Sequence, residues 1–251
     1  MGKRRMRALR ILLVIAVILG GIFVIVDRVA VHFAEGEAAD RLKAAEGLAS
    51  TPDVSIEGFP FLTQVAGGSL DEVRVGIEGY EAPTGDGARK IRIDDLRADM
   101  RGVEFSGDYS SAVADSATGT ATVAYDELLR AAKSEATQVG PGVTAEVVGL
   151  SDGGDGKIKV EVETTVLGAE LPEPVSVLSS VTVVDGDTVR VRADALPAFG
   201  GVEVVESRVR RIIDFEQGID GLPGGIRLDK VEAARDGVEI TVKGSDVRLV
   251  G

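Results

Sequence analysis

The chain has one histidine, His32, and no cysteine among its 251 residues, so the residue types that most often carry catalysis are nearly missing. A hydrolase triad needs a histidine beside a serine and a carboxylate, and His32 lies just past a long apolar run with no second histidine to accompany it. No Gly-x-Ser-x-Gly elbow, phosphate-cradling loop or His-Glu-x-x-His helix occurs. Asp94 and Asp95 are adjacent in a strand-like stretch and point to opposite faces, so they make no acid–base dyad unless a bulge intervenes. The Asp-Gly tracts at 152–156 and 185–187 lack the bidentate carboxylate at a fixed offset that a calcium loop requires, and read as tight turns. No reaction, metal or cofactor is therefore expected. Glycosidase chemistry from two distant carboxylates stays open but has no positive support.

What remains is a set of residues suited to apolar contact. Phe59, Pro60, Phe61 and Leu62 bring two of the seven phenylalanines together around a proline, directly after the alternating stretch Val54–Gly58. Two readings of this segment stand: aromatics that cap a core at a strand end, or an apolar lip rimmed by polar residues. Many Val and Ile residues on strand faces, few aromatics and three apolar helix stripes favour a cavity for something apolar, and a lipid is the natural candidate.

The element that positions all of this is Ile11–Val26, sixteen uncharged residues preceded by Lys3, Arg4, Arg5, Arg7 and Arg10. At 1.5 Å per residue the run reaches about 24 Å, and Ala8, Leu9 and a snorkelling Arg10 extend it toward the roughly 30 Å of a hydrocarbon core. The basic residues put 1–10 in the cytoplasm and send the rest outward. A cleaved signal is the competing reading, but cuts after Ala30 or Ala34 would leave Arg28 or His32 where a small residue is needed, so an uncleaved anchor is favoured. The expected organisation is a basic tail (1–10), an anchor (11–26), a helical stem (27–50) and an extracytoplasmic domain (51–251). Beyond residue 26 there are 23 basic residues against 41 acidic, a net of −18, which repels nucleic acid and anionic headgroups at long range.

On the stem, Val31, Ala34, Ala38, Leu42, Ala45 and Leu48 recur at helical spacing, and Thr51-Pro52 is the expected stop. From Ser69 the chain reads as strands. Between Ile91 and Phe105 the alternation slips at Asp94-Asp95 and again at Arg101-Gly102, and a similar slip falls between Leu228 and Val231, which predicts β-bulges and a strongly curved sheet. Helices are predicted at Tyr125–Lys133 and Val202–Phe215. Strands are predicted at Val143–Leu150, Ile158–Val166, Val175–Val184, Val189–Ala193, Ile226–Ala234 and Val238–Val250.

The run Pro52-Asp53-Val54-Ser55-Ile56-Glu57-Gly58-Phe59-Pro60-Phe61-Leu62-Thr63-Gln64, with Gly68, Val73-x-Val75 and the C-terminal Leu222-Pro223-Gly224-Gly225-Ile226-x-Leu228, resembles the actinobacterial LmeA-like family of cell-envelope phospholipid-binding proteins. The resemblance implies an α+β fold in which a curved antiparallel sheet wraps helices, the tubular lipid-binding (TULIP-like) arrangement. It also implies a phospholipid ligand such as phosphatidylinositol and a role in building mannosylated, lipomannan-type envelope glycolipids. The residues expected to line the groove or its mouth are Phe59, Pro60, Phe61, Leu62 and Leu222, and replacing Phe61 by Asp is expected to abolish lipid binding while leaving the fold intact. The rival class is a non-catalytic envelope scaffold whose apolar faces only pack together.

Overall fold

The computed structural model describes residues 2–83, 90–108, 110–131, 136–170, 172–194, 210, 213–218 and 225–250. Leu222 and most of the helix predicted at 202–215 lie outside these residues. At that helix's end, the amide of Asp214 donates to the carbonyl of Arg210 and Ile213 is buried, but Phe215 is already in a strand.

One helix, α1 (Gly2–Glu46), carries both the apolar run and the stem without a break, about 68 Å at helical rise. Along the run every side chain from Leu9 to Val26 is exposed, and a span of this length and hydropathy can cross a membrane. Past Val26 the helix gains a buried side: Val31 and Ala39 are buried and Ala34, Ala38 and Leu42 half-buried, while Ala45 of the expected stripe is exposed. The helix stops four residues before the expected Thr51-Pro52. Gly47 turns left-handed (φ 62°) and the amide of Leu48 bonds back to the Lys43 carbonyl at 3.0 Å, a local cap that needs no proline.

The domain contains β1 (Asp53–Glu57), α2 (Phe61–Gly67), β2 (Ser69–Pro83), β3 (Lys90–Phe105), β4 (Ala112–Ala124), α3 (Tyr125–Ala131), β5 (Thr137–Gly140), β6 (Val143–Asp152), β7 (Ile158–Val166), β8 (Ala169–Glu170), β9 (Val175–Val184), β10 (Thr188–Ala193), β11 (Phe215–Gly218), β12 (Ile226–Ala233) and β13 (Gly237–Val250). All pairings among the described strands are antiparallel, and the sheet structure is strongly curled, like half a barrel. Two sheets form where the sequence suggested one. The first runs β1-β2-β3-β4-β13-β12; the second runs β11-β10-β9-β7-β6-β5, with β8 beside β7.

The slips in β3 occur, but not as bulges. Across β2, β3 and β4 the pairing stays in constant register through both places, with Leu70 opposite Val103 opposite Ala114, and Val73 opposite Met100 opposite Ala117. All three strands therefore switch face at one level, between Leu70 and Val73, between Met100 and Val103 and between Ala114 and Ala117. Gly102 makes the switch with φ 58°, and a Cβ there would stand 2.2 Å from a carboxylate oxygen of Asp115. A shared kink bends the sheet without leaving any strand a residue ahead of its neighbour. The slip after Leu228 is a true bulge at Asp229, and three more bulges lie at Val139, Val148 and Leu249.

Two cores result. Val160, Val162 and Val177 of the second sheet pack with Val231, Ala233 and Val238 from one end of the first sheet, with Tyr125 and Leu128 of α3 against them. At the other end of the first sheet, Leu70, Val103, Ala114 and Val247 pack with Phe61 of α2 and Val31 of the stem. β4, absent from the predicted strands, is central here. Its small Ala112, Ala114 and Ala117 are buried in this second cluster, and small residues allow close approach but give a weak strand signal.

Candidate functional site at the foot of the stem

The segment Gly58–Leu62 is held against the stem where the exposed apolar run ends. Gly58 has φ 101°, and a Cβ there would meet Gln64 and Asp71 side-chain atoms at 2.5 Å, so only glycine fits. The Phe59–Pro60 peptide is cis. Pro60 then precedes α2, whose first-turn amides have no acceptor of their own and no side-chain cap from Pro60. Asp27 supplies it: the amide of Leu62 donates to Asp27 Oδ1 at 2.9 Å. Asp27 has no exposed surface, and its other oxygen takes a 2.7 Å bond from Arg28.

Two further ties fix the stem. The guanidinium of Arg28 lies over the Phe59 ring, 5.3 Å from its centroid, and the amide of Ile56 in β1 donates to Glu35 Oε1 at 2.9 Å. His32 is exposed, with Nδ1 3.9 Å from Glu35, a surface position on the stem. α2 went unpredicted because it has seven residues, yet Pro60 before it and Gly67-Gly68 after it were the available signals. Asp27 was missed because an acid after an apolar run ordinarily marks only the end of a span.

The four aromatic-segment residues within the described structure do not share one environment. Phe59 points outward at 57% exposed, Pro60 and Leu62 are half-buried, and Phe61 is packed in the core at 7%. Phe61 thus caps a core, the first of the two readings, while Phe59 is an exposed ring.

Open grooves lie elsewhere among the described residues. One, of about 530 Å³, lies on β1, β2 and β3 of the first sheet and is lined by Val75 and Ile77 together with Ser50, Asp53, Arg74, Glu78, Asp95, Arg97 and Asp99. Its cations are already paired: Arg74 bonds Glu72 at 2.8 Å with Glu57 and Asp99 within 3.4 Å, and Arg97 bonds Asp95 at 3.0 Å. With its acids outnumbering its bases, it is no cradle for a phosphate. Two smaller grooves, at Ala66–Ser69 with Glu104–Gly107 and at Arg190–Arg192 with Asp214 and Glu216, are mainly polar. Among the described residues no group of three His, Asp or Glu side chains could hold a metal ion.

A family model described as LmeA-like phospholipid-binding matches residues 25–243. The chain belongs to the LmeA-like family. No curated protein and no solved structure matches it. The family match starts two residues before Asp27, so the LmeA-like unit includes the stem and its clamp on Gly58–Leu62 as well as both sheets. Family membership and the N-terminal apolar helix fit a membrane-anchored lipid-binding protein.

Proposed function

We propose that this protein is an extracytoplasmic phospholipid-binding module held at the membrane by α1, with residues 1–10 in the cytoplasm, 11–26 across the bilayer, 27–50 as stem and 51–251 outside. Lipid acyl chains lie in an apolar groove of the curled sheets, in the TULIP-like manner, with Phe59, Pro60, Leu62 and Leu222 at the groove or its mouth and Phe61 packed in the core behind them. No covalent chemistry is part of this reading. The observation that carries it is the family match over 25–243, and it is supported by a stem that fastens the Gly58–Leu62 segment to the end of the apolar run. Shielding ten methylenes contributes on the order of 8 kcal/mol, enough for roughly micromolar retention. The ligand class is a phospholipid, with phosphatidylinositol as the specific candidate, and the cellular role is support or transfer of lipid for lipomannan-type glycolipid synthesis.

The test is mass spectrometry of organic extracts from the full chain, purified from membranes in mild detergent. About one phospholipid per chain, enriched over its share of the surrounding membrane, is expected. A lipid profile identical to bulk membrane would favour the envelope scaffold instead. In the native host, deletion of the gene should lower mannosylated glycolipids, and unchanged levels would remove the biosynthetic role while leaving lipid binding standing.

A further inference from the structure

We propose that the base of the domain is embedded in the bilayer surface, with Phe59 and Phe33 in the interfacial layer on two sides of α1 and Arg28 in reach of lipid phosphates. The proposal rests on reading α1 as a membrane span; it does not depend on a lipid in the sheet groove.

The exposed apolar face of α1 does not end at Val26. Ile18, Ile22, Val26, Val29 and Phe33 follow at steps of three and four, and Val29 and Phe33 are 65% and 74% exposed. Counted from Arg10, a hydrophobic core of about 30 Å takes in the first residues of the stem as well as 11–26 and ends roughly at Ala30, and the headgroup layer extends several ångströms past it. Phe33 then stands in that layer, where amphipathic and aromatic side chains are favoured, and Gly36, Glu37 and Asp40 lie in water.

The depth of Phe59 follows from its partner. Its ring is held 5.3 Å from the guanidinium of Arg28, two residues below Ala30. The outward-facing Phe59 is therefore carried to the hydrocarbon boundary by the stem itself. Arg28 is the first Lys or Arg after Arg10; its guanidinium also reaches the Gly58 carbonyl at 3.4 Å, and its side chain stays 48% exposed while bonded to Asp27, so part of it is open toward the headgroups. Asp27, deeper still, is what a carboxylate at this level must be: wholly covered, paired with a cation and bonded by the Leu62 amide of α2. On the side facing the domain the bilayer boundary thus meets protein rather than water, and lipid can pass between leaflet and domain without crossing solvent.

The chain contains no tryptophan, which makes the depth directly measurable. Phe59→Trp and Phe33→Trp keep an aromatic ring at each position, and Leu167→Trp, at a residue 85% exposed in the turn between β7 and β8, is the solvent control. The full-length variants would be reconstituted into phosphatidylcholine vesicles with bromine near the head of the acyl chain. Fluorescence at 59 and 33 should fall at least about twofold while 167 is unaffected. Quenching at 33 with none at 59 would show the domain held off the bilayer and overturn the proposal, as would quenching at neither. Because each result is read without reference to bound lipid, it leaves the extraction test independent.

Discussion

The carboxylate of Asp27 accepts the amide proton of Leu62 at 2.9 Å, joining the last turn of an apolar span to the first turn of a helix 35 residues later. The first-turn amides of α2 have no partners in its own backbone, and its N-terminus favours negative charge. Placing that charge on the stem makes the position of the Gly58–Leu62 segment depend on the stem.

Asp27→Ala should therefore loosen α2 before it affects the second sheet. The Leu62 amide loses its acceptor in a covered site, and its hydrogen exchange should rise about five- to tenfold, the size of a lost cap. Amides of β7 and β9, which lie in the other core, should be unchanged. Asp27→Asn retains an acceptor oxygen and should fall between the two. Equal exchange at Leu62 in all three proteins would mean that the clamp is idle.

Acid should weaken the turn between β3 and β4. Asp108 takes hydroxyl bonds from Ser106 at 2.6 Å and Ser110 at 2.8 Å, and these hold its carboxyl down at about 2, below its ordinary 3.8. A carboxyl lowered in the folded state contributes stability above its unfolded value, and loses that contribution as pH falls through the folded one. The stability advantage of the native chain over Asp108→Asn should be constant from neutral pH to about pH 4 and vanish toward pH 2. Thermal melts in detergent at several pH values would show the gap closing, and a gap that persisted at pH 2 would assign the effect to something other than this carboxylate.

The shared kink in the first sheet is open to a backbone test. Gly102→Ala must hold a positive φ and also place a methyl against Asp115. A cost of about 1–3 kcal/mol is expected in denaturant unfolding. Pairing Gly102→Ala with Asp115→Ala removes the contact with the carboxylate, though not that with Cβ at 3.0 Å, and leaves the strain, so the double variant should recover part of the loss. Full recovery would mean that contact, and not conformation, dictates glycine here.

Strands with unbroken alternation were legible almost to the residue: β7 and β9 occupy Ile158–Val166 and Val175–Val184, as their apolar periods indicate. Where stabilisation comes from far away, the local pattern failed. α2 depends on Asp27, and β4 carries the small Ala112, Ala114 and Ala117 that pack in one cluster with Phe61 and Val31 of the stem. The slips near Asp94 and Arg101 were visible, yet one strand alone cannot distinguish a bulge from a kink that its neighbours share. The same limit governed the candidate site, since neighbouring phenylalanines read alike until their partners are known.

That difference between Phe59 and Phe61 decides how lipid binding can be tested by mutation. Phe61 packs with Leu70, Val103 and Val247, so Phe61→Ala should cost about 3–5 kcal/mol, and Phe61→Asp would add a charge to that core. A loss of lipid after either change would report a damaged fold, contrary to the expectation that Phe61→Asp is selective. Phe59→Ala removes an exposed ring and one contact with Arg28, and should cost no more than about 1 kcal/mol. Leu62→Ala, at a half-buried position, should lie between them. Denaturant unfolding of the three alanine variants beside lipid retention separates packing from binding. If Phe59 serves the mouth of the groove, its variant keeps its stability and retains less lipid, whereas native retention together with native stability would exclude it from the path.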